Sequence, residues 1–179
     1  MPTTTPTAIT PDILALCASI ATGTPEFISV NPEAGCQPLE CFQNVTLCAG
    51  SAVNGWIIWE RAGAFIEAEH HCALKRPDGS LVDVTPHDGE SRVLFLADPN
   101  ATFNGKVARS NIRAATNTDP DIVDMIALAN ALDGPNRRIN MYGPDSLTET
   151  QKRDGMKLAM DYVKALKKVD VNYPGGTVV

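Results

Sequence analysis

A cysteine, a histidine and an aspartate can together carry out acyl chemistry, and this chain offers Cys41, His71 and Asp83 for the task. A thiolate is a strong nucleophile and an imidazole moves protons near neutral pH. A carboxylate beside the ring fixes its tautomer and raises its basicity. The pairing of His71 with Asp83 follows from a turn. Arg76-Pro77-Asp78-Gly79 suits a type I turn with proline second and a glycine free to take the left-handed conformation, the three-residue hairpin loop with a glycine bulge. That loop pairs Arg76 with Ser80, sets Asp83 opposite Ala73 and sets Thr85 opposite His71. Residues that alternate along a strand share a face, so His71 and Asp83 are predicted to be diagonal neighbours. A two-residue loop would slip the register by one and give His70 to Asp83 instead. Taken alone, the pair also fits a plain ion pair on the surface of a hairpin.

Cys41 is expected in the first turn of a helix over residues 39 to 49, which carries Phe42, Val45 and Cys48 at helical spacing. There the helix dipole favours the thiolate, and a nearby imidazolium favours it further. The competing role for Cys41 is a small buried hydrophobe. Nucleophile, base and orienting acid together follow the logic of a catalytic triad.

The elements that must position these residues fall into three zones. In the first, Thr10-Pro11-Asp12 opens a helix with a capping hydroxyl, proline in the first turn and an acid near the positive end of the dipole. Ile13, Leu14, Leu16, Cys17 and Ile20 then recur at helical spacing, and Gly23 is the expected stop. A Pro- and Gly-containing stretch, 24 to 38, leads to the Cys41 helix. In the second zone, strands are predicted over 53–60, 64–76, 80–85 and 92–97, rich in β-branched and aromatic residues and joined by short turns. Such tight links imply an antiparallel meander. In the third zone, Asp119-Pro120-Asp121 opens a helix that closes near Gly134. A second runs from Ser146 to Val169, with Ser146-Leu147-Thr148-Glu149 at the spacing of a capping box.

Bulk properties narrow the function. The formal net charge of −6 opposes a nucleic-acid surface, which needs a basic patch to release counterions. The longest basic run is Lys167-Lys168, and no apolar run approaches the roughly 20 residues needed to span a bilayer. Neither nucleic acid nor membrane is therefore expected as a partner. Met1 to Ile9 reads as a disordered leader without the pattern of a secretory signal. The five cysteines, an odd number, favour reduced thiols and a cytoplasmic setting.

The order of a helix-borne cysteine, a strand-borne histidine and an aspartate on the next strand resembles the papain-like and transglutaminase-like cysteine hydrolases. The residues that carry the resemblance are Glu40-Cys41-Phe42-Gln43-Asn44-Val45, Glu69-His70-His71 and Leu81-Val82-Asp83-Val84-Thr85-Pro86, within residues 36 to 90. The Gly-Cys-Trp context of papains is not present. The resemblance implies that Cys41 attacks an amide carbonyl of a protein or peptide, His71 moves the proton and Asp83 orients His71. It implies a thioester intermediate and requires no cofactor and no metal ion. The Cys41 backbone N–H with Gln37 or Asn44 are the implied oxyanion donors.

Two other functions fit some of the same residues. Cys36, Cys41, Cys48, His70, His71 and Cys72 are of zinc-ligand type, although they contain no Cys-x-x-Cys pair. A non-catalytic interaction module could use Trp56, Trp59 and Phe65, although aromatics at strand spacing usually pack in a core. His70 and Cys72 are assigned to the face of their strand opposite His71, with His70 buried and satisfied. Glu67 and Glu69 share the His71 face, and His87-Asp88 is expected in an exposed turn.

The predicted architecture is α+β: N-terminal helices packed on a four-stranded antiparallel sheet, with C-terminal helices. Residues 1–9 are the leader, 10–170 a single domain (10–50 helical, 53–98 sheet, 119–169 helical) and 171–179 a loose tail. Water and an amine would serve equally as acyl acceptor.

Overall fold

A computed structural model of the chain describes residues 3–87 and 89–174. The first helix, α1 (Pro11–Ile20), begins as its sequence dictates, with the Thr10 hydroxyl accepting from the Ile13 N–H and Pro11 at the first helical position. It buries Ile13, Leu16 and Cys17. Gly23 serves a different purpose from a helix stop. A Cβ there would stand 2.9 Å from the Ala97 carbonyl oxygen, so glycine lets the chain pass close to the sheet.

The mixed α+β class holds, but the sheet is not a four-stranded meander. Its strands are β1 (Glu26–Val30), β2 (Ser51–Arg61), β3 (Phe65–Lys75), β4 (Leu81–Asp83), β5 (Arg92–Ala97) and β6 (Ile112–Ala115), separated after β1 by the short helix α2 (Cys41–Leu47). The order is β2-β5-β1-β4-β3-β6, and β2 also pairs with β3, so five strands close into a barrel and β6 extends β3. Tight links enforce antiparallel pairing for β2–β3 and β3–β4 only. Between β4 and β5 the chain inserts β1, parallel to β4 and antiparallel to β5. β1 escapes sequence reading because five residues between Pro25 and Pro32 are too few to reveal a period.

The hairpin forms as its turn dictates. Leu74 faces Val82 and Lys75 faces Leu81. Arg76 and Ser80 close the loop (Arg76 N–H to Ser80 O, 2.9 Å), Gly79 N–H donates to Arg76 O at 2.9 Å, and Gly79 has φ of +88°. The Asp78 carboxylate accepts from the Ser80 N–H at 2.9 Å and pins the turn.

The two faces of the barrel wall are buried separately. Ile28, Ile57, Ala73, Val93 and Phe95 form a cluster without helix residues, which is the barrel interior. Trp56, Ile58, Ile66, Leu94 and Leu96, on the alternate positions, pack against Ile13, Leu16 and Cys17 of α1. Gly55 lies opposite His71, and a Cβ on it would come 2.2 Å from the Leu96 carbonyl oxygen. That close approach brings β5 tight against β2 beside the histidine.

The C-terminal helices are α3 (Pro120–Tyr142) and α4 (Glu149–Asn172). Ile122, Met125, Ile126 and Val169 bury Ala64 and Phe65 at the β2–β3 turn. α3 does not close at Gly134; it continues through Pro135 to Gly143, which takes φ of +82° at the C-cap. The capping box that opens α4 pairs Thr148 with Gln151, not Ser146 with Glu149. Among the described residues, no helix is long and apolar enough to cross a membrane.

The expected loose ends are tied down where they are described. Thr4 forms a β-bridge with Glu60, and Thr5 donates to Glu90 and to the Arg92 carbonyl. Thr4, Thr5 and the Thr7 carbonyl, which accepts from Arg92, thus tie this segment to β2 and to the start of β5. Tyr173 accepts from Arg61 through its carbonyl at 2.8 Å and donates its hydroxyl to Asp119 at 2.9 Å. Met1, Pro2 and the tail from 175 lie outside the described residues.

Candidate active site

The nucleophile candidate is set by the chain in front of its helix. Leu39, with φ of +66°, turns the backbone sharply, and the Glu40 carbonyl then accepts from Gln43 and Asn44 N–H at 2.9 and 2.8 Å. Cys41 is the first residue of α2 and is buried. Asn44, one turn on and 1% exposed, clasps the approach to the helix: its Oδ1 accepts from Gln37 N–H at 2.9 Å and its Nδ2 donates to Gln37 O at 2.8 Å. The same Nδ2 donates to Thr85 Oγ1 at 3.2 Å. Both of its amide protons are therefore spent, which corrects the assignment of Asn44 to an oxyanion hole. Gln37 is corrected too. Its side chain is exposed, donates to Gly35 O at 3.4 Å and takes no part in the wall of the cleft.

His71 and Asp83 meet as the hairpin register predicts. Asp83 ends β4 and is fully buried, and His71 is 4% exposed. Their closest atoms, His71 Nε2 and Asp83 Oδ2, are 3.1 Å apart. The chain leaves the sheet at Thr85, whose N–H donates to Asp83 Oδ1 at 2.8 Å. Asn44 and Thr85 thus link the Cys41 helix to the Asp83 turn through buried hydrogen bonds.

Electrostatics favour a charged pair. Burial by itself would raise the Asp83 pKa, but the His71 charge, the His87 hydrogen bond and the Thr85 N–H outweigh it and hold the carboxyl well below the usual range. Burial would lower the pKa of His71. The Asp83 charge, and after it the hydrogen bond and charge of the Cys41 side chain, overcome that and push the ring up to about 10. His71 is therefore an imidazolium at neutral pH, between a carboxylate and a thiol. Burial pushes the Cys17 thiol up to about 11 and the Cys72 thiol up to about 12, which keeps both protonated at neutral pH.

A third residue joins the pair. His87 Nε2 lies 2.8 Å from the same Asp83 Oδ2, and its ring packs edge-on against Trp59 at 5.4 Å. The expectation of an exposed turn is thereby corrected for His87, while Asp88 lies outside the described residues. The signal was present: an aspartate that receives the N–H two residues on bends the chain, and Thr85-Pro86 carries it out of the strand, which returns residue i+4 to the carboxylate.

His70 occupies the opposite face of β3 and is satisfied there. Its Nδ1 accepts from Arg109 N–H at 2.9 Å, so Nε2 carries the proton and donates to Ala101 O at 2.7 Å. These two bonds fasten the 98–111 segment, which supplies Phe103 to stack on Phe42 at 4.0 Å. The result is a cleft of about 420 Å³ lined by Cys41, Trp59, Glu69, His71, His87 and Phe103, with Lys106 at its wall. Glu69 accepts from Trp59 Nε1 at 2.6 Å, whereas Glu67 pairs with Arg113 at 2.7 Å.

The competing ligand and platform sets come apart. Of the six zinc candidates, Cys36 and Cys48 approach each other at 3.9 Å, His70 has both nitrogens engaged and Cys72 Sγ contacts the Ala73 carbonyl of its own strand. Trp56 is buried against Asp98, Phe65 belongs to the α3–α4 core and Trp59 lines the cleft, so the three aromatics make no common surface.

Compared with known proteins, the chain matches no protein-family model, no curated protein and no solved structure. The functional reading therefore rests on the chemistry of the cleft.

Proposed function

We propose that the chain is a thiol-dependent hydrolase or acyltransferase acting on an amide, of the papain-like and transglutaminase-like kind. Cys41 is the nucleophile, His71 the proton carrier and Asp83 the orienting acid. The observation that carries this reading is the buried His71 ring, held charged between Asp83 and the Cys41 side chain. Its Nε2 faces Asp83, which leaves Nδ1 as the nitrogen to serve the thiol.

The Cys41 Sγ attacks the carbonyl carbon as a thiolate paired with the imidazolium, and the carbonyl oxygen takes the negative charge. Collapse of the tetrahedral intermediate breaks the C–N bond, and His71 gives its proton to the leaving amine. The thioester then passes its acyl group to water or to a second amine, with neutral His71 taking the proton of the incoming group. The first-turn N–H of Cys41 is the oxyanion donor that survives from the sequence reading; it precedes the first intrahelical bonds, which Gln43 and Asn44 make. The stacked Phe42 and Phe103 give the cleft an apolar part and the hydrogen-bonded Trp59–Glu69 pair a polar one, which suits a peptide-like substrate.

The test is the rate of alkylation by iodoacetamide at neutral pH, read residue by residue by mass spectrometry. Cys41 should label faster than a free thiol and faster than Cys17, Cys48 or Cys72. Cys41→Ala should abolish the fast phase with the circular dichroism spectrum unchanged. Labelling of Cys41 no faster than glutathione would overturn the proposal.

A further inference from the structure

The triad reading uses one histidine on Asp83, but the site has two. One ligand atom from each of His71, Asp83 and His87 lies within 4.8 Å of the other two. The carboxylate oxygen is 3.1 Å from one nitrogen and 2.8 Å from the other. His87 takes the aligned hydrogen bond. Among the described residues no hydrogen bond reaches His71 Nε2, although the atom is buried and faces the oxygen. Two imidazoles aimed at a single oxygen, one off the bonding line, is a poor arrangement for protons. It is a good one for a cation at the centre of the three atoms.

We propose that His71, Asp83 and His87 form a binding site for a divalent cation of the zinc class. Two imidazoles and one carboxylate are the donor set such an ion prefers over magnesium or calcium, which seek oxygen ligands. Bonds of about 2.0–2.1 Å to a tetrahedral ion place ligand atoms roughly 3.3–3.4 Å apart, so Asp83 Oδ2 has to draw back by a few tenths of an ångström from each nitrogen while the two imidazoles, within 4.8 Å of each other, close on the ion. The other Asp83 oxygen is already fixed by the Thr85 N–H, which aims Oδ2 inward in the manner of an outer-shell support. His87 stands at the cleft with 17% of its side chain exposed, which gives the ion a path and leaves a fourth position toward the cavity.

Occupancy has a consequence for the chemistry proposed above, and that consequence alone rests on it. An ion held by Asp83 and His71 Nε2 removes the carboxylate from the ring and sets a positive charge in its place. With His71 Nε2 and Asp83 Oδ2 both taken up as ligands, the carboxylate no longer orients the ring for proton transfer, so the bound ion silences the proposed chemistry.

The experiment is calorimetric titration of zinc chloride into EDTA-treated, dialysed protein, with cobalt(II) absorption as the report on geometry. One ion per chain is expected, with the visible bands of a tetrahedral site. His87→Gln, at the cleft and outside the core, should weaken binding at least about tenfold. Cys36→Ser/Cys48→Ser should leave binding unchanged. Failure to bind zinc, or binding that survives His87→Gln and disappears in the double serine variant, overturns the site. Alkylation of Cys41 in the EDTA-treated protein reads the thiol proposal separately. Slow alkylation with intact zinc binding removes the enzyme and keeps the site; fast alkylation without zinc binding does the reverse.

Discussion

His70 and His71 are neighbours on one strand, both almost wholly buried, and their fates differ entirely. His70 faces the outer side of the barrel wall, where two backbone groups, the Ala101 carbonyl and the Arg109 N–H, fix it in one tautomer. It acts as a neutral bracket for the 98–111 segment. His71 faces Asp83, and the carboxylate charge outweighs burial and keeps the ring protonated. Burial therefore does not decide the state of a histidine; what it is buried against does. Dipoles of the backbone fix one ring in a single tautomer, and a full charge keeps the other protonated.

The largest expected effect separates the two rings. His71→Gln should slow alkylation of Cys41 roughly 100-fold, the usual scale for loss of a proton-transferring group. His70→Gln should leave that rate unchanged, because both its ring nitrogens are bound to backbone groups and neither is left to serve the thiol. Equal losses in the two variants would mean that the contrast is one of folding and not of charge.

Asp83→Asn sharpens the cause. Without the carboxylate charge the burial of His71 is unopposed, the ring pKa drops, and alkylation at pH 7 should slow by about tenfold. Stability should change with pH in a defined direction. A histidine raised to about 10 in the fold contributes stability that is complete below its unfolded value of 6.5 and is lost as pH rises through about 10. In EDTA-containing buffer, the urea midpoint of the wild type should therefore fall between pH 7 and pH 10, and that fall should be much reduced in Asp83→Asn. A parallel decline in both proteins would assign the slope to other groups.

The same contrast accounts for what the sequence disclosed and what it concealed. A three-residue loop with glycine in the left-handed region admits one register, so Pro77-Asp78-Gly79 was enough to place His71, and not His70, beside Asp83. Local chemistry was equally enough for the Thr10 cap and for Cys41 at the start of α2. Contacts that depend on long-range pairing had no local signal. β1 carries five residues and pairs with strands distant in sequence, so the closed barrel was invisible. Asn44 looked like a free amide until Gln37 and Thr85 consumed its protons. His87 carried a local signal in the Thr85-Pro86 exit from the strand, but that signal was not sufficient by itself. Its partner is only four residues away, but the bend that returns it depends on the Thr85 N–H finding the buried carboxylate.

On the structural side of the strand, the effects are smaller and purely energetic. His70→Gln leaves the buried Ala101 carbonyl or the part-buried Arg109 N–H without its bond, which costs about 1–3 kcal/mol of stability and shifts the urea midpoint downward. Because His70 holds the 98–111 segment, amide exchange should accelerate at Arg109 before it does in β3. A variant as stable as the wild type would show that the segment is held by Phe103 on Phe42 and not by the imidazole.

The smallest effect belongs to the turn that sets the comparison up. Gly79 has φ of +88° and open space where a Cβ would stand, so Gly79→Ala meets no neighbour and pays only in backbone strain. The left-handed region costs an L-residue about 1–2 kcal/mol, which should appear as a modest drop in stability. The loop length is unchanged, so Ser80 still pairs with Arg76, and the alkylation rate of Cys41 should stay at the wild-type value. If the strain were relieved by a slip of one residue, β4 would turn Asp83 away from His71 and toward the face of His70. Alkylation would then fall to the His71→Gln level for the gain of a single methyl group. The two outcomes differ by roughly 100-fold in rate at nearly the same stability. The measurement therefore tests the register itself, on which the difference between the two histidines depends.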